Sequence, residues 1–83
     1  MNEKILFVDD ESNILDTFRR GLRKRFVLAT APGGLEGLEM LRGQGPFAVV
    51  VSDLKMPKMD GIQFLSPVRA LTPSTQRFLL AAP

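Results

Sequence analysis

The chain has 83 residues, enough for one domain, and at this length folding hides only about two-thirds of the surface an unfolded chain exposes, so the stability margin is thin. Hydrophobic residues make up 45% and charged residues 24%, a globular balance that argues against a disordered tail or a fibrous repeat, and 11 Lys and Arg against 9 Asp and Glu leave a formal charge of +2. With no cysteine there is no disulfide framework or thiolate metal site, and with neither a signal-like segment nor an apolar stretch near the roughly 20 residues of a membrane span, cytoplasm is the expected compartment.

Lys4 to Val8 is a short continuous apolar run, which predicts a strand covered on both faces. Asp9-Asp10 close it. Ser12, preceded by Glu11, is the expected N-cap of a helix over about Asn13 to Lys24, on which Ile14, Leu15, Phe18 and Leu22 recur at helical spacing. Gly21 inside it costs about 1 kcal/mol relative to alanine and loosens the last turn. Arg19, Arg20, Arg23, Lys24 and Arg25 crowd the end of this helix. A nucleic-acid patch would have that composition, but cations also complement the negative end of a helix dipole. A solvated helix end accounts for them, and no nucleic-acid partner is expected for this segment.

Phe26 to Thr30 reads as a second strand, and Pro32-Gly33-Gly34 punctuates it before a short helix with Leu35, Leu38 and Leu41 on one face. Gly37 weakens that helix and Gly43 to Pro46 ends it. Phe47 to Ser52 is the third strand. After a loop around Pro57, Gly61 to Leu71 carries Ile62, Phe64, Leu65 and Val68 as the apolar set of a third helix. Pro67 lies within that span and either kinks the helix or marks its effective start near Ser66. Pro73-Ser74 makes a turn, and Arg77 to Ala81 is the fourth strand. Strands alternating with helices imply parallel pairing through right-handed crossovers, hence an α/β doubly wound sheet without repeats or linkers.

Two of the strands deliver carboxylates to the same sheet edge: Asp9-Asp10 after the first and Asp53 after the third. Such positions face the crevice where open α/β sheets bind ligands, and three hard oxygen donors there suit Mg²⁺ or Mn²⁺. A carboxylate that accepts a phosphoryl group must be exposed at such an edge, with a divalent ion to offset the repulsion between anions. Taken singly, Asp53 could be a strand-terminating residue accepting turn amides, and Asp9-Asp10 could be charges favourable near a helix N-terminus. Their convergence favours phosphoryl transfer.

Asp9-Asp10 together with Asp53, Met56-Pro57 and Asp60-Gly61 resemble the receiver domain of two-component response regulators, from Asn2 to about Leu80. The resemblance implies a flavodoxin-like sheet in strand order 2-1-3-4 with three helices, and a phosphoacceptor on Asp53. It implies Mg²⁺ bound directly by Asp10 and Asp53, through the Lys55 backbone carbonyl, and by Asp9 mainly through water. The implied partner is a sensor histidine kinase or a phosphotransfer protein. The protein would be no conventional enzyme, catalysing at most its own phosphorylation. Met56-Pro57 and Gly61 are expected to shape the loop, with Gly61 easing a tight or left-handed turn, while Lys58 and Asp60 face solvent.

The chain also departs from the family. Leu79-Leu80-Ala81-Ala82 stand where receivers carry a phosphate-binding Ser or Thr, and Thr72, Ser74 and Thr75 precede the strand at its opposite end. The family's lysine, its switch aromatic and two further helices would lie beyond Pro83. Residues 1–83 are accordingly expected to form a receiver that stops after its fourth strand. The alternative function is a degenerate, non-switching module that self-associates through that strand's exposed edge, most simply as a homodimer. A haloacid-dehalogenase-like phosphohydrolase would need an aspartate at Lys55, and Gly33-Gly34-Leu35-Glu36-Gly37 lacks the spacing and lysine of a P-loop.

Overall fold

The computed structural model describes residues 3–80. Its elements alternate: β1 (Lys4–Val8), α1 (Ser12–Leu22), β2 (Val27–Ala31), α2 (Gly34–Gln44), β3 (Val49–Asp53), α3 (Gly61–Leu71) and β4 (Gln76–Leu80). All strand pairs are parallel, in the order β2-β1-β3-β4. The expected doubly wound sheet is therefore present.

Alternation along β1 sorts the core into two layers. Leu6 and Val8 join Leu38, Leu41, Val50, Phe64 and Val68 beneath α2 and α3, whereas Ile5 and Phe7 join Leu15 beneath α1. Phe7 and Phe18 stack with centroids 4.4 Å apart, which adds about 0.5–1.5 kcal/mol beyond the area they bury. On the other face Gly37 brings α2 against Phe64, because a β-carbon there would lie 2.7 Å from the Phe64 ring.

Several boundaries shift from the sequence expectation. Ser12 is the first helical residue and not the N-cap; Glu11 occupies the cap position without a side-chain cap bond. The Glu11 carbonyl accepts the first helical bonds, from Ile14 and Leu15, and the Asp9 carboxylate accepts the Glu11 N–H at 2.9 Å. At its other end α1 stops at Leu22, and Arg23 to Arg25 form a turn in which Arg25 and Phe26 both donate to the Leu22 carbonyl. Phe26 thus closes the turn, so β2 starts at Val27.

The third strand starts at Val49 and not at Phe47: Ala48 already donates to the Lys4 carbonyl at 2.9 Å, while the Phe47 carbonyl accepts the Thr75 hydroxyl at 2.6 Å. It runs on to include Asp53, which pairs with Leu80. Helix α3 continues through Pro67 instead of starting near Ser66. Phe64 and Val68, both fully buried, hold it on the sheet on either side of the proline, so packing outweighs the missing backbone donor. Ala81, expected to end the fourth strand, lies outside the described residues.

Candidate functional site

The register of the sheet assembles the acidic edge. Val8 pairs with both Ala31 and Ser52, so the residues that follow, Asp9 and Asp53, leave neighbouring strands side by side. The chain crosses from β2 on one flank of β1 to β3 on the other, and the crevice at this switch point receives their side chains. One carboxylate oxygen from each of Asp9, Asp10 and Asp53 lies within 4.8 Å of the others. Asp9 is buried, Asp53 half-buried and Asp10 exposed.

That spacing fits a small divalent cation: Mg²⁺ holds oxygens at about 2.0–2.1 Å, which separates opposite ligands by about 4 Å. The donor set is all oxygen, which suits Mg²⁺ or Mn²⁺. Asp9 also bears the electrostatic mark of crowding. Burial raises its pKa above the ordinary carboxylate value, the Glu11 N–H opposes this, and the charges of Asp53, Asp10 and Glu11 raise it further. A bound cation would relieve those repulsions.

The loop from Leu54 to Asp60 holds Asp53 from the other side. Leu54 donates to the Leu80 carbonyl and Gly61 donates to the Leu54 carbonyl, both at 2.9 Å. Lys55 is exposed, and its carbonyl receives no hydrogen bond from the described residues. Met56 is buried in the core beneath α2 and α3. Gly61 is required by close approach and not by a left-handed backbone, because no described glycine has positive φ. The left-handed residue is Lys58, at φ 68°.

Asp60, expected to face solvent, is half-buried and caps α3. Its carboxylate accepts the Gln63 N–H at 2.8 Å, and the Gln63 side chain returns a bond to the Asp60 N–H at 3.0 Å. The Asp-x-x-Gln spacing of this capping box was visible in the sequence. No comparable local signal marks Lys58.

The hydroxyls before β4 lie where expected, at the far end of the sheet. Thr75 is buried there on the Phe47 carbonyl. The position of Ala81 falls outside the described residues. Of the basic group, Arg19 binds the Thr30 hydroxyl at 2.7 Å and approaches Asp16 at 3.4 Å, as in a solvated helix end. Beside the acidic cluster, a pocket of about 190 Å³ opens between Pro32–Glu36 and Pro57–Met59, with Asp10 at its edge.

Residues 5–82 match the family model of the response regulator receiver domain. The transcriptional regulatory protein PrrA of Mycobacterium tuberculosis is 39% identical over 69 residues, covering 82% of this chain and 29% of that protein. The chain therefore spans less than a third of the length of that relative. Among solved structures, the signal receiver domain of an HD domain-containing protein from Pseudomonas fluorescens Pf-5 superposes with a TM-score of 0.92 at 28% identity, covering 100% of this chain and 66% of that one. The response regulator TrrA of Thermotoga maritima, solved in complex with Mg²⁺-BeF, gives 0.88 at 29% identity, with 98% and 70% covered. Sequence and fold agree, from the carboxylates at the strand ends to the strand order, and the chain belongs to the response regulator receiver domain family.

Proposed function

We propose that this chain is a phosphoacceptor whose Asp53 takes a phosphoryl group from a phosphorylated histidine on a sensor histidine kinase or phosphotransfer protein, or from a small acyl phosphate. The observation that carries this reading is the convergence of Asp9, Asp10 and Asp53 within 4.8 Å at the sheet's switch point. An Asp53 carboxylate oxygen attacks phosphorus as the bond from phosphorus to the donor nitrogen or oxygen breaks, and the leaving group departs with that electron pair. Asp10, Asp53 and the Lys55 carbonyl would hold Mg²⁺ or Mn²⁺, with Asp9 in support through water. The ion would offset the repulsion between the carboxylate and the incoming phosphoryl oxygens. Residues 1–83 act here as one unit. No helix among the described residues is long and apolar enough to cross a membrane, and we place the reaction in the cytoplasm.

Incubation with acetyl phosphate and Mg²⁺ tests this by mass spectrometry. One added phosphoryl group, absent from Asp53→Asn, is the expected result; an unmodified chain under the same conditions overturns it.

A second reading is favoured by β4. Phe78, Leu79 and Leu80 are 53, 42 and 40% exposed, and β4 has a neighbouring strand on one side only among the described residues. We propose that the 83-residue chain self-associates as a homodimer through this edge, which would pair its free backbone groups and cover those side chains. With no hydroxyl in Leu79-Leu80-Ala81-Ala82, such a module would retain the acidic pocket without switching. Sedimentation across a dilution series should show a concentration-dependent dimer, weakened by Phe78→Lys. A monomer throughout micromolar dilution rejects it.

A further inference from the structure

We infer that Lys58 is a positioning residue for the anionic phosphodonor, a role that rests on the phosphoacceptor reading and specifies how the donor reaches Asp53. Lys58 is the one residue with positive φ among those described, in a region that β-carbon-bearing side chains avoid. Its neighbours hold it there. The Met59 N–H donates to the Pro57 carbonyl at 2.7 Å across Lys58, and Met59 packs so closely on Gly34 that a β-carbon at 34 would lie 2.6 Å from its sulfur. Met56 is buried before it and Asp60 caps α3 after it. Backbone strain that surroundings over-determine in this way is characteristic of functional loops.

The electrostatics of the place supply the function. Lys58 lines the pocket beside the acidic cluster, whose other ionisable lining residues are Asp10 and Glu36. Asp9 and Asp53 add negative charge behind Asp10, and Glu11 follows it. A donor carrying phosphoryl oxygens meets anions from the loop after β1 and the first turn of α2, and a cation from the loop after β3. Lys58 has no ion-pair partner among the described residues, so its charge is available to an incoming anion. Acting before bond formation, it would change the donor concentration needed for half-maximal rate and leave the rate at saturation.

The experiment measures phosphorylation of Asp53 against acetyl phosphate concentration at saturating Mg²⁺, for the wild-type chain, Lys58→Gln, Lys58→Arg and Lys58→Gly, at two salt concentrations. Lys58→Gln should raise the half-saturating donor concentration about five-fold, in keeping with one exposed charge interaction, and flatten its salt dependence. Lys58→Arg should restore both. Lys58→Gly, with no β-carbon to strain the positive-φ three-residue turn, should lose the donor effect like Lys58→Gln while melting no lower than wild type, separating charge from strain. Equal half-saturation in wild type and Lys58→Gln, or an equal defect in Lys58→Arg, overturns the inference. Binding of inorganic phosphate in Mg²⁺, followed by the Lys58 and Met59 amide shifts, separates the two ideas. Lys58-dependent binding without modification of Asp53 would reject the phosphoacceptor reading alone; binding indifferent to Lys58→Gln would reject this inference.

Discussion

Gly61 sits directly against the backbone of Asp53: a β-carbon at position 61 would collide with the Asp53 carbonyl oxygen and stand 2.6 Å from a methyl of Leu79. The obstacle is backbone, which cannot rotate aside, so the end of β3 or the start of α3 would have to move. Gly61→Ala is therefore expected to cost about 1–3 kcal/mol in chemical denaturation and to weaken Mg²⁺ binding by displacing Asp53. A variant within about 0.5 kcal/mol of wild type, the range of an ordinary surface change, would contradict this.

Asp10 is exposed and packs against little, so its carboxylate can be removed without disturbing the core. Asp10→Ala should fold normally yet lose at least about ten-fold in Mg²⁺ affinity by calorimetry, the scale on which even outer-shell changes act at metal sites. Unaltered binding would place the ion elsewhere. Affinity in the wild type should also fall at acidic pH, as Asp9, whose pKa burial raises, takes up a proton.

The raised pKa of Asp9 sets a pH dependence whose sign is determinate. A carboxyl that binds its proton more tightly when folded contributes stability below its unfolded pKa and loses that contribution as pH rises through its folded value. Without metal, Asp9→Asn should be more stable than wild type at neutral pH, and the gap should close as the solution is acidified. The amide oxygen can keep the Glu11 N–H bond, so the comparison isolates charge. Saturating Mg²⁺ should shrink or reverse the difference. Thermal melts in a chelator at several pH values provide the check, and a gap that widens toward low pH contradicts the prediction.

Asp60→Ala removes the side-chain acceptor of the Gln63 N–H, leaves the bond from the backbone N–H of residue 60 to the Gln63 side chain, and should destabilise the chain by about 0.5–2 kcal/mol. The same change should loosen the Lys58–Met59 segment, visible as faster amide exchange there than in β1. Loss confined to the far end of α3 would show that the cap does not organise the loop.

If beryllofluoride binds as a phosphoryl mimic, amide shifts should stay near Asp53. The hydroxyl nearest β4 in the sequence, Thr75, is committed to the Phe47 carbonyl at the opposite end of the sheet. A state is favoured only through contacts it makes differentially, and Leu79-Leu80-Ala81-Ala82 offers no side-chain donor. Shifts spreading along β4 and α3 would refute this.

Much of this was legible in the order of residues. Apolar runs such as Ile5 to Val8, and helical repeats such as Leu38 and Leu41, are local patterns, and alternating strands and helices admit few topologies, although Leu35 and Ile62, expected on the apolar faces of their helices, are 54 and 61% exposed. A strand ending in Asp9-Asp10 and another in Asp53 therefore pointed to one edge before any coordinates. The exposed Phe78, Leu79 and Leu80 were likewise apparent from an apolar strand at the sheet's flank. What stayed hidden depends on contacts between segments distant in sequence. Thr75 donates its hydroxyl to the carbonyl of Phe47, a residue 28 positions earlier, just before β3 begins. The left-handed turn fell on Lys58 and not on Gly61, because Met59 packs on Gly34 and Gly61 is occupied by its approach to Asp53. Local propensity differs by about 1 kcal/mol between such alternatives, and burying one side chain or satisfying one backbone group is worth as much, so the choice belongs to the assembled structure.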